Sequence, residues 1–184
     1  GGSQLAMGTI GHIADVSRIF ANTNTAAAGG AVAALILTQV LYGKSDLTMV
    51  LNGALAGLVS ITAEPLEPSL WLATIIGAIG GIIVVFSVPI LDRLKIDDVV
   101  GAISVHGIAG IWGTLAVVIS NSKATLGAQI IGTVSICLFI FIVSYIAWLI
   151  LDMAMGVRVS QENEIEGLDK SELGIDAYPE FTKN

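Results

Sequence analysis

His106 is the only histidine within a long apolar stretch, and no other residue of the chain has a clearer capacity for chemistry. It lies between Val99 and Thr114, among aliphatic residues, glycines and one tryptophan. An ionisable side chain in hydrocarbon is costly, so membrane proteins rarely keep one without a partner or a polar pathway. Imidazole both donates and accepts hydrogen bonds and titrates near neutral pH, which suits solute binding or proton relay. The alternative is a structural histidine bonded to a backbone carbonyl of a neighbouring helix.

Glycines repeat on the segments that would position His106. Gly107, Gly110 and Gly113 follow it at three-residue spacing and remove side-chain bulk from one helix face. A second helix or a narrow channel could approach that face closely. Two further pairs have the Gly-x-x-x-Gly spacing of tightly packed membrane helices: Gly53 with Gly57, and Gly77 with Gly81.

The composition predicts an integral membrane protein. Of 184 residues, 54% are hydrophobic and only 12% are charged, and the mean hydropathy is +0.85. A soluble domain usually has about 25% charged residues. The net charge of −7 reflects a terminal tail, because seven of the fifteen acidic residues follow Val157. The eight Lys and Arg residues form no patch, so nucleic acid is not an expected partner.

Five segments are apolar enough to span a lipid bilayer as helices, which takes roughly 20 residues each. They are Ile19–Tyr42, Leu47–Ala63, Ser69–Leu91, Val99–Ser120 and Leu126–Leu151, of which the second is short. The expected fold is therefore an all-α, polytopic membrane helix bundle. Residues 1–156 would form the transmembrane domain and residues 157–184 an acidic tail, either solvated or docked on the membrane domain.

The loops next to the membrane predict its orientation. One side has four basic residues and the other has two, and the side richer in Lys and Arg is expected to be cytoplasmic. This places the tail in the cytoplasm and Gly1 outside. The chain has no initiator Met and no signal peptide, and it reads as the continuation of a longer protein. We find no catalytic signature and no metal-ligand pair, so the chain is not expected to be an enzyme, to bind a metal or to need a cofactor.

Other polar residues near the span ends admit two interpretations. Asn22 and Thr23 stand near the outer start of the first span, where they could line a vestibule or support the fold by capping and interhelical hydrogen bonds. Asp97 and Asp98 begin the fourth span, where a carboxylate meets the positive end of the helix dipole, and capping is the preferred interpretation. Counting from Asp98 along a continuous helix puts His106 about 12 Å deep, near mid-membrane.

Several stretches together resemble the ammonium transporter family (Amt/Mep/Rh), specifically its bacterial Amt type. They are Gly1-Gly2-Ser3, Ala21-Asn22-Thr23-Asn24-Thr25, Leu51-Asn52-Gly53-Ala54-Leu55-Ala56-Gly57-Leu58, Asp97-Asp98-Val99 leading to Val105-His106-Gly107, and the tail from Gly156 to Pro179. The resemblance implies a channel-like protein of eleven spans, built from two inverted five-helix repeats plus a final helix and assembled as a homotrimer in the cell membrane. The five spans here match its C-terminal part.

The resemblance also implies roles for individual residues. His106 matches the second of two touching pore histidines, the first of which lies upstream, and Ser3 matches a serine that recruits ammonium at the outer mouth. The implied function is transport of ammonium or ammonia through a hydrophobic pore. The tail would be a contact for a PII-family regulatory protein. The alternative is an ammonium sensor that signals through this tail.

Overall fold

The computed structural model describes residues 8–175, and these residues are helical without any strand. The elements are α1 (Ile10–Tyr42), α2 (Leu47–Ile61), α3 (Leu70–Arg93), a π-helix (Ile103–Ile108) that runs directly into α4 (Ala109–Ser120), α5 (Leu126–Met155), α6 (Gln161–Glu166) and α7 (Leu168–Ser171). The all-α prediction is confirmed for this part of the chain. The described residues divide into two compact units, of which the first ends at Val134 and the second begins at Ser135.

Four of the described helical segments are long and apolar enough to cross a membrane: α1, α3, the continuous segment Ile103–Ser120, and α5. Helix α2 is apolar but has only 15 residues. Each of the five apolar segments identified in the sequence therefore contains a helix. Helix α1 begins at Ile10, nine residues before the predicted start at Ile19, because Thr9 caps it by accepting a hydrogen bond from the backbone N–H of His12.

Glycines bring the backbones of α1, α2 and α3 into direct contact. A Cβ on Gly57 or on Gly77 would overlap the carbonyl oxygen of Ala26, and one on Gly81 would overlap that of Gly30. Gly53 faces Gly30 in the same way. Close packing at both Gly-x-x-x-Gly pairs, predicted from their spacing, is confirmed.

The loop between α2 and α3 is held by polar side chains of α1. The Asn22 amide nitrogen donates to the carbonyl oxygens of Pro65 and Pro68, each at 2.8 Å. The Arg18 guanidinium donates to the carbonyl oxygens of Glu67 at 3.2 Å and Pro68 at 3.4 Å. These contacts satisfy backbone carbonyl groups of a loop in which the side chains of Pro65 and Pro68 are buried. The loop is consequently a fixed part of the first unit.

The fourth span begins later than its sequence suggests. Residues 98–101 form a turn closed by the Gly101 N–H donating to the Asp98 carbonyl oxygen at 2.9 Å, and Gly101 has a φ of 73°. The π-helix starts at Ile103. The prediction of a helix from Val99 was wrong here, and so was the 12 Å estimate that counted helical rise from Asp98. Gly101 adopts a left-handed conformation that favours glycine, and this separates the turn from the helix.

In the second unit, α5 ends at Met155 and two short helices follow. Ser160 caps α6 by accepting from the Asn163 N–H, and Arg158 forms an exposed ion pair with Glu164 at 3.0 Å. An exposed pair of this kind contributes at most about 1 kcal/mol to stability. The boundary predicted at residue 156 stays a prediction, and residues 176–184 lie outside the described part.

We expect a side chain at Gly57 to destabilise the first unit. Gly57→Val places atoms on the Ala26 carbonyl, so the helices must separate at a cost of about 1–3 kcal/mol or more. Gly127→Ala is the matched control, because nothing lies within 4 Å of a Cβ there. Thermal unfolding in detergent should show a clearly lower midpoint for the first variant only. Equal midpoints for both variants would contradict the packing described above.

Candidate functional site

His106 lies inside the π-helix, with its side chain exposed on the described chain. The π-helical turn is evident where the Ala109 N–H donates to the Ser104 carbonyl oxygen, five residues back. Such turns are rare and occur frequently at functional sites, because they displace side chains from the regular helical register. Nothing in the sequence indicated this turn, since its composition is that of an ordinary apolar helix.

Asp98 fixes the start of this helix. Its carboxylate accepts from the backbone N–H groups of Ile103 at 2.9 Å and Ser104 at 3.1 Å, and from the Ser104 hydroxyl at 3.1 Å. Partial burial acts to raise the pKa of Asp98, but these hydrogen bonds outweigh it and the pKa is lowered. The carboxylate therefore caps the helix, as preferred from the sequence, and it positions the turn that contains His106.

His106 opens onto a groove of about 400 Å³ between two walls. One wall consists of Val59 from α2 and of Thr62 and Ala63 directly after it; the other consists of His106, Gly110 and Thr114. The second set is spaced by four residues, which places its members along one side of the helix. Because Gly110 has no side chain, the surface between His106 and Thr114 stays open.

The two groove threonines present hydrogen-bond acceptors. The Thr62 hydroxyl donates to the Leu58 carbonyl oxygen at 2.7 Å, and the Thr114 hydroxyl donates to the Gly110 carbonyl oxygen at 3.0 Å. With their protons engaged, both oxygens keep lone pairs for a donor. Neither threonine was predicted from the sequence as a site residue. The four-residue spacing from His106 through Gly110 was the available signal for Thr114, whereas Thr62 comes from another helix.

The glycines after His106 have different environments. A Cβ on Gly113 would lie 2.6 Å from the Ser60 carbonyl oxygen, so Gly113 permits close packing of α4 on α2. One on Gly110 would meet Val59 Cγ1 at 3.6 Å, an ordinary contact, and one on Gly107 would meet only Ile103 of its own turn. The predicted close approach of a helix is thus confirmed at Gly113. Trp112 donates to the Ile76 carbonyl oxygen at 3.0 Å and does not line the groove.

The other predicted site residues within residues 8–175 are not part of the groove. Asn22 is fully buried in its contacts with the α2–α3 loop, and the Thr23 hydroxyl donates to the Ile19 carbonyl oxygen at 2.7 Å. Asp97 is exposed beside the Asp98 turn. Ser3 lies outside the described residues. Within residues 8–175, no cluster of three or more His, Cys, Asp or Glu side chains could hold a metal ion.

Comparison with known proteins places these features in a family. The model of the Ammonium Transporter Family matches residues 1–178. Ammonium transporter Amt2 of Archaeoglobus fulgidus is 38% identical, covering 92% of this chain and 41% of that protein. A putative ammonium transporter of Synechocystis is 41% identical, covering 94% and 40%.

The chain belongs to the ammonium transporter family. Among solved structures, one described as a sensor Amt protein superposes with a TM-score of 0.80 at 32% identity, covering 86% of this chain and 42% of that one. Mep2 of Candida albicans superposes with a TM-score of 0.70 at 25% identity, covering 80% and 37%. Family membership and the apolar helices identify a multi-pass membrane protein. The chain spans about two-fifths of the length of the relatives it matches.

The Asp98 cap leads to a prediction that depends on pH. Asp98→Ala should lower the free energy of unfolding by about 1 kcal/mol at pH 7, and Asp98→Asn by less because it keeps an acceptor. Since the folded-state pKa is lowered, the charged carboxylate stabilises the fold fully above its unfolded pKa, about 3.9. That contribution disappears as the pH falls through the lower folded-state pKa.

Thermal unfolding in detergent between pH 7 and pH 3 measures this dependence. The difference between wild type and Asp98→Ala should shrink below about pH 4, and Asp97→Ala should resemble wild type throughout. A difference that stays constant down to pH 3 would show that ionised Asp98 does not cap the helix.

Proposed function

We propose that this chain is the C-terminal part of an ammonium transporter and that His106 lines its conducting pore. The observation that carries the proposal is the imidazole at a groove between apolar helices, in a chain whose relatives are named ammonium transporters. The groove combines the imidazole, threonine acceptors and aliphatic walls. A nitrogen solute that donates hydrogen bonds fits this combination.

The chemistry follows from dehydration. Moving a small bare cation from water into hydrocarbon costs tens of kcal/mol on a Born estimate. A pore for ammonium must therefore replace the lost hydrogen bonds or remove a proton before the driest zone. Imidazole can accept a proton or a hydrogen bond at one nitrogen while donating at the other. His106 would thus form a polar position along an apolar path, where ammonia passes and a proton is relayed separately.

The finer architecture belongs to the same proposal. We infer that five membrane spans correspond to the second inverted repeat and last helix of an eleven-helix protein, with a second pore histidine facing His106. Ser3 would recruit ammonium at the outer mouth. A homotrimer in the cell membrane, with residues 157–184 in the cytoplasm within reach of a PII-family protein, completes the arrangement. The excess of basic residues on one side supports this orientation.

A sensory function is not proposed. The matching family model and the curated relatives are described as transporters. One solved neighbour is described as a sensor Amt protein, and that description applies to the neighbour. The names of the curated relatives describe no enzyme.

Variants at His106 test the proposal, and they are made in the protein that the natural gene encodes. His106→Ala removes the polar position and should reduce ammonium transport at least ten-fold or change its selectivity, since an intramembrane hydrogen bond or proton relay is lost. His106→Glu should favour charged over neutral species because it adds a carboxylate. Ammonium-evoked currents and methylammonium uptake in proteoliposomes measure both effects.

His12→Ala is the matched control, because His12 lies at the start of α1 and is not a groove residue. It should leave currents and uptake unchanged. The proposal fails if both His106 variants, present at normal levels, transport ammonium and methylammonium as the wild type does.

A further inference from the structure

A hydrogen bond joins the two chain segments that carry the groove walls. The Asn121 side-chain nitrogen donates to the Glu64 carboxylate at 3.0 Å. Glu64 directly follows the groove residue Ala63, and Asn121 directly follows the last residue of α4. Glu64 is only 9% exposed, so its carboxylate is removed from bulk water. A charge-assisted bond in such surroundings is stronger than a neutral one and costly to leave unmade.

The other contacts between these segments are less directional. Asn52 of α2 lies against the Gly101 turn, and Ser60 lies against Gly113. These contacts, together with the buried apolar cluster of Ala56, Val105 and Ala109, set how closely the segments approach. The Glu64–Asn121 bond differs from them because it has a defined donor and acceptor. It lies at the end of α4, beyond Thr114.

Both partners of the bond are oriented independently of each other. The Asn121 side-chain oxygen accepts from the Lys123 backbone N–H at 3.0 Å, which fixes the amide. The loop that contains Glu64 is held to α1 by Asn22 and Arg18, as described above. Loss of the bond would therefore remove the polar connection between the end of α4 and a loop that stays in place.

We propose that the Glu64–Asn121 hydrogen bond sets the width of the groove between Thr62 and Thr114, and thereby its preference for ammonium over methylated ammonium. Glu64 and Asn121 are positioning residues, and neither lines the groove. The inference rests on the proposed function for its substrate class. Its geometric part concerns only the separation of the two walls.

Transport selectivity tests the inference. It is measured on the protein that the natural gene encodes, reconstituted in lipid vesicles. Glu64→Ala and Asn121→Ala should each lower the ratio of Vmax/KM for ammonium to that for methylammonium by about five-fold, the factor expected from one lost hydrogen bond. The effect of the double variant should be smaller than the two single effects combined, because both substitutions remove the same bond. Glu64→Gln keeps an acceptor and should change the ratio less.

Two control variants remove the same kinds of side chain, a carboxylate and an amide, at other positions. Glu67→Ala removes an exposed carboxylate from the same loop, and Asn24→Ala removes an exposed amide of α1 that donates to the Phe20 carbonyl oxygen. Neither should alter the ratio. An unchanged ratio in Glu64→Ala and Asn121→Ala, or additive effects in the double variant, would overturn the inference while leaving ammonium transport intact.

Crosslinking measures the wall separation without relying on transport. Cysteines replace Ala63 and Thr114 in a Cys137→Ser background, and bis-thiosulfonate reagents of graded length are applied. Glu64→Ala should shift the most efficient reagent to a longer span, whereas Glu67→Ala should not. An identical length profile would overturn the geometric part. Wild-type vesicles that take up no ammonium would instead refute the proposed function and the substrate preference, while the crosslinking result still decides the width.

Discussion

Direct backbone contact among α1, α2 and α3 is the constraint on which the rest of this structure depends. Ala26 and Gly30 of α1 lie against glycines of both other helices, so the three axes cannot move apart or rotate without losing that contact. Dispersion attraction at short range and the absence of intervening side chains hold such helices together in lipid, where burial of apolar surface gives little gain. Helix α2 is thereby fixed, and with it one wall of the groove.

The second wall is positioned by its ends. Asp98 determines where the π-helix starts, Gly113 determines how closely α4 approaches α2, and Asn121 connects the far end to the α2–α3 loop. The side chains of Asp98 and Asn121 provide hydrogen-bond partners for backbone and side-chain groups that lipid could not satisfy. The segment that carries His106 is thus held by Asp98 at its start, by Asn121 at its end and by the contact of Gly113 with α2.

Much of this fold was predictable from the sequence, because its signals are local. Apolar length identified the helical segments, and glycine spacing identified the close contacts at Gly57 and Gly81. The role of His106, inferred from an isolated imidazole, stays a prediction. Asp46 and Ser69, which cap α2 and α3, were not predicted, although both residue types commonly accept a hydrogen bond at a helix start. Membership of the ammonium transporter family, anticipated from motifs, was confirmed by comparison.

What could not be predicted depends on partners distant in the chain or on small energy differences. The bond from Asn121 to Glu64 joins residues 57 positions apart. The groove role of Thr62 requires knowing which side of α2 faces α4. The late start at Ile103 depends on Gly101 adopting a positive φ, which competes with helix continuation. Ser3 lies outside the described residues, so its assignment stays a prediction.

The π-helix has a geometric consequence for the face that His106 shares. In a regular α-helix, residues eight apart are offset by about 80° around the axis, so His106 and Thr114 would diverge by almost a quarter of a turn. A wider turn advances each residue by a smaller angle, and the segment up to Ile108 therefore brings the imidazole back toward alignment with Gly110 and Thr114. The π-helix therefore reduces the angle between His106 and Thr114 around the helix axis. The loss or gain of one residue there would redirect the imidazole. The helix would stay apolar and long enough to span a membrane.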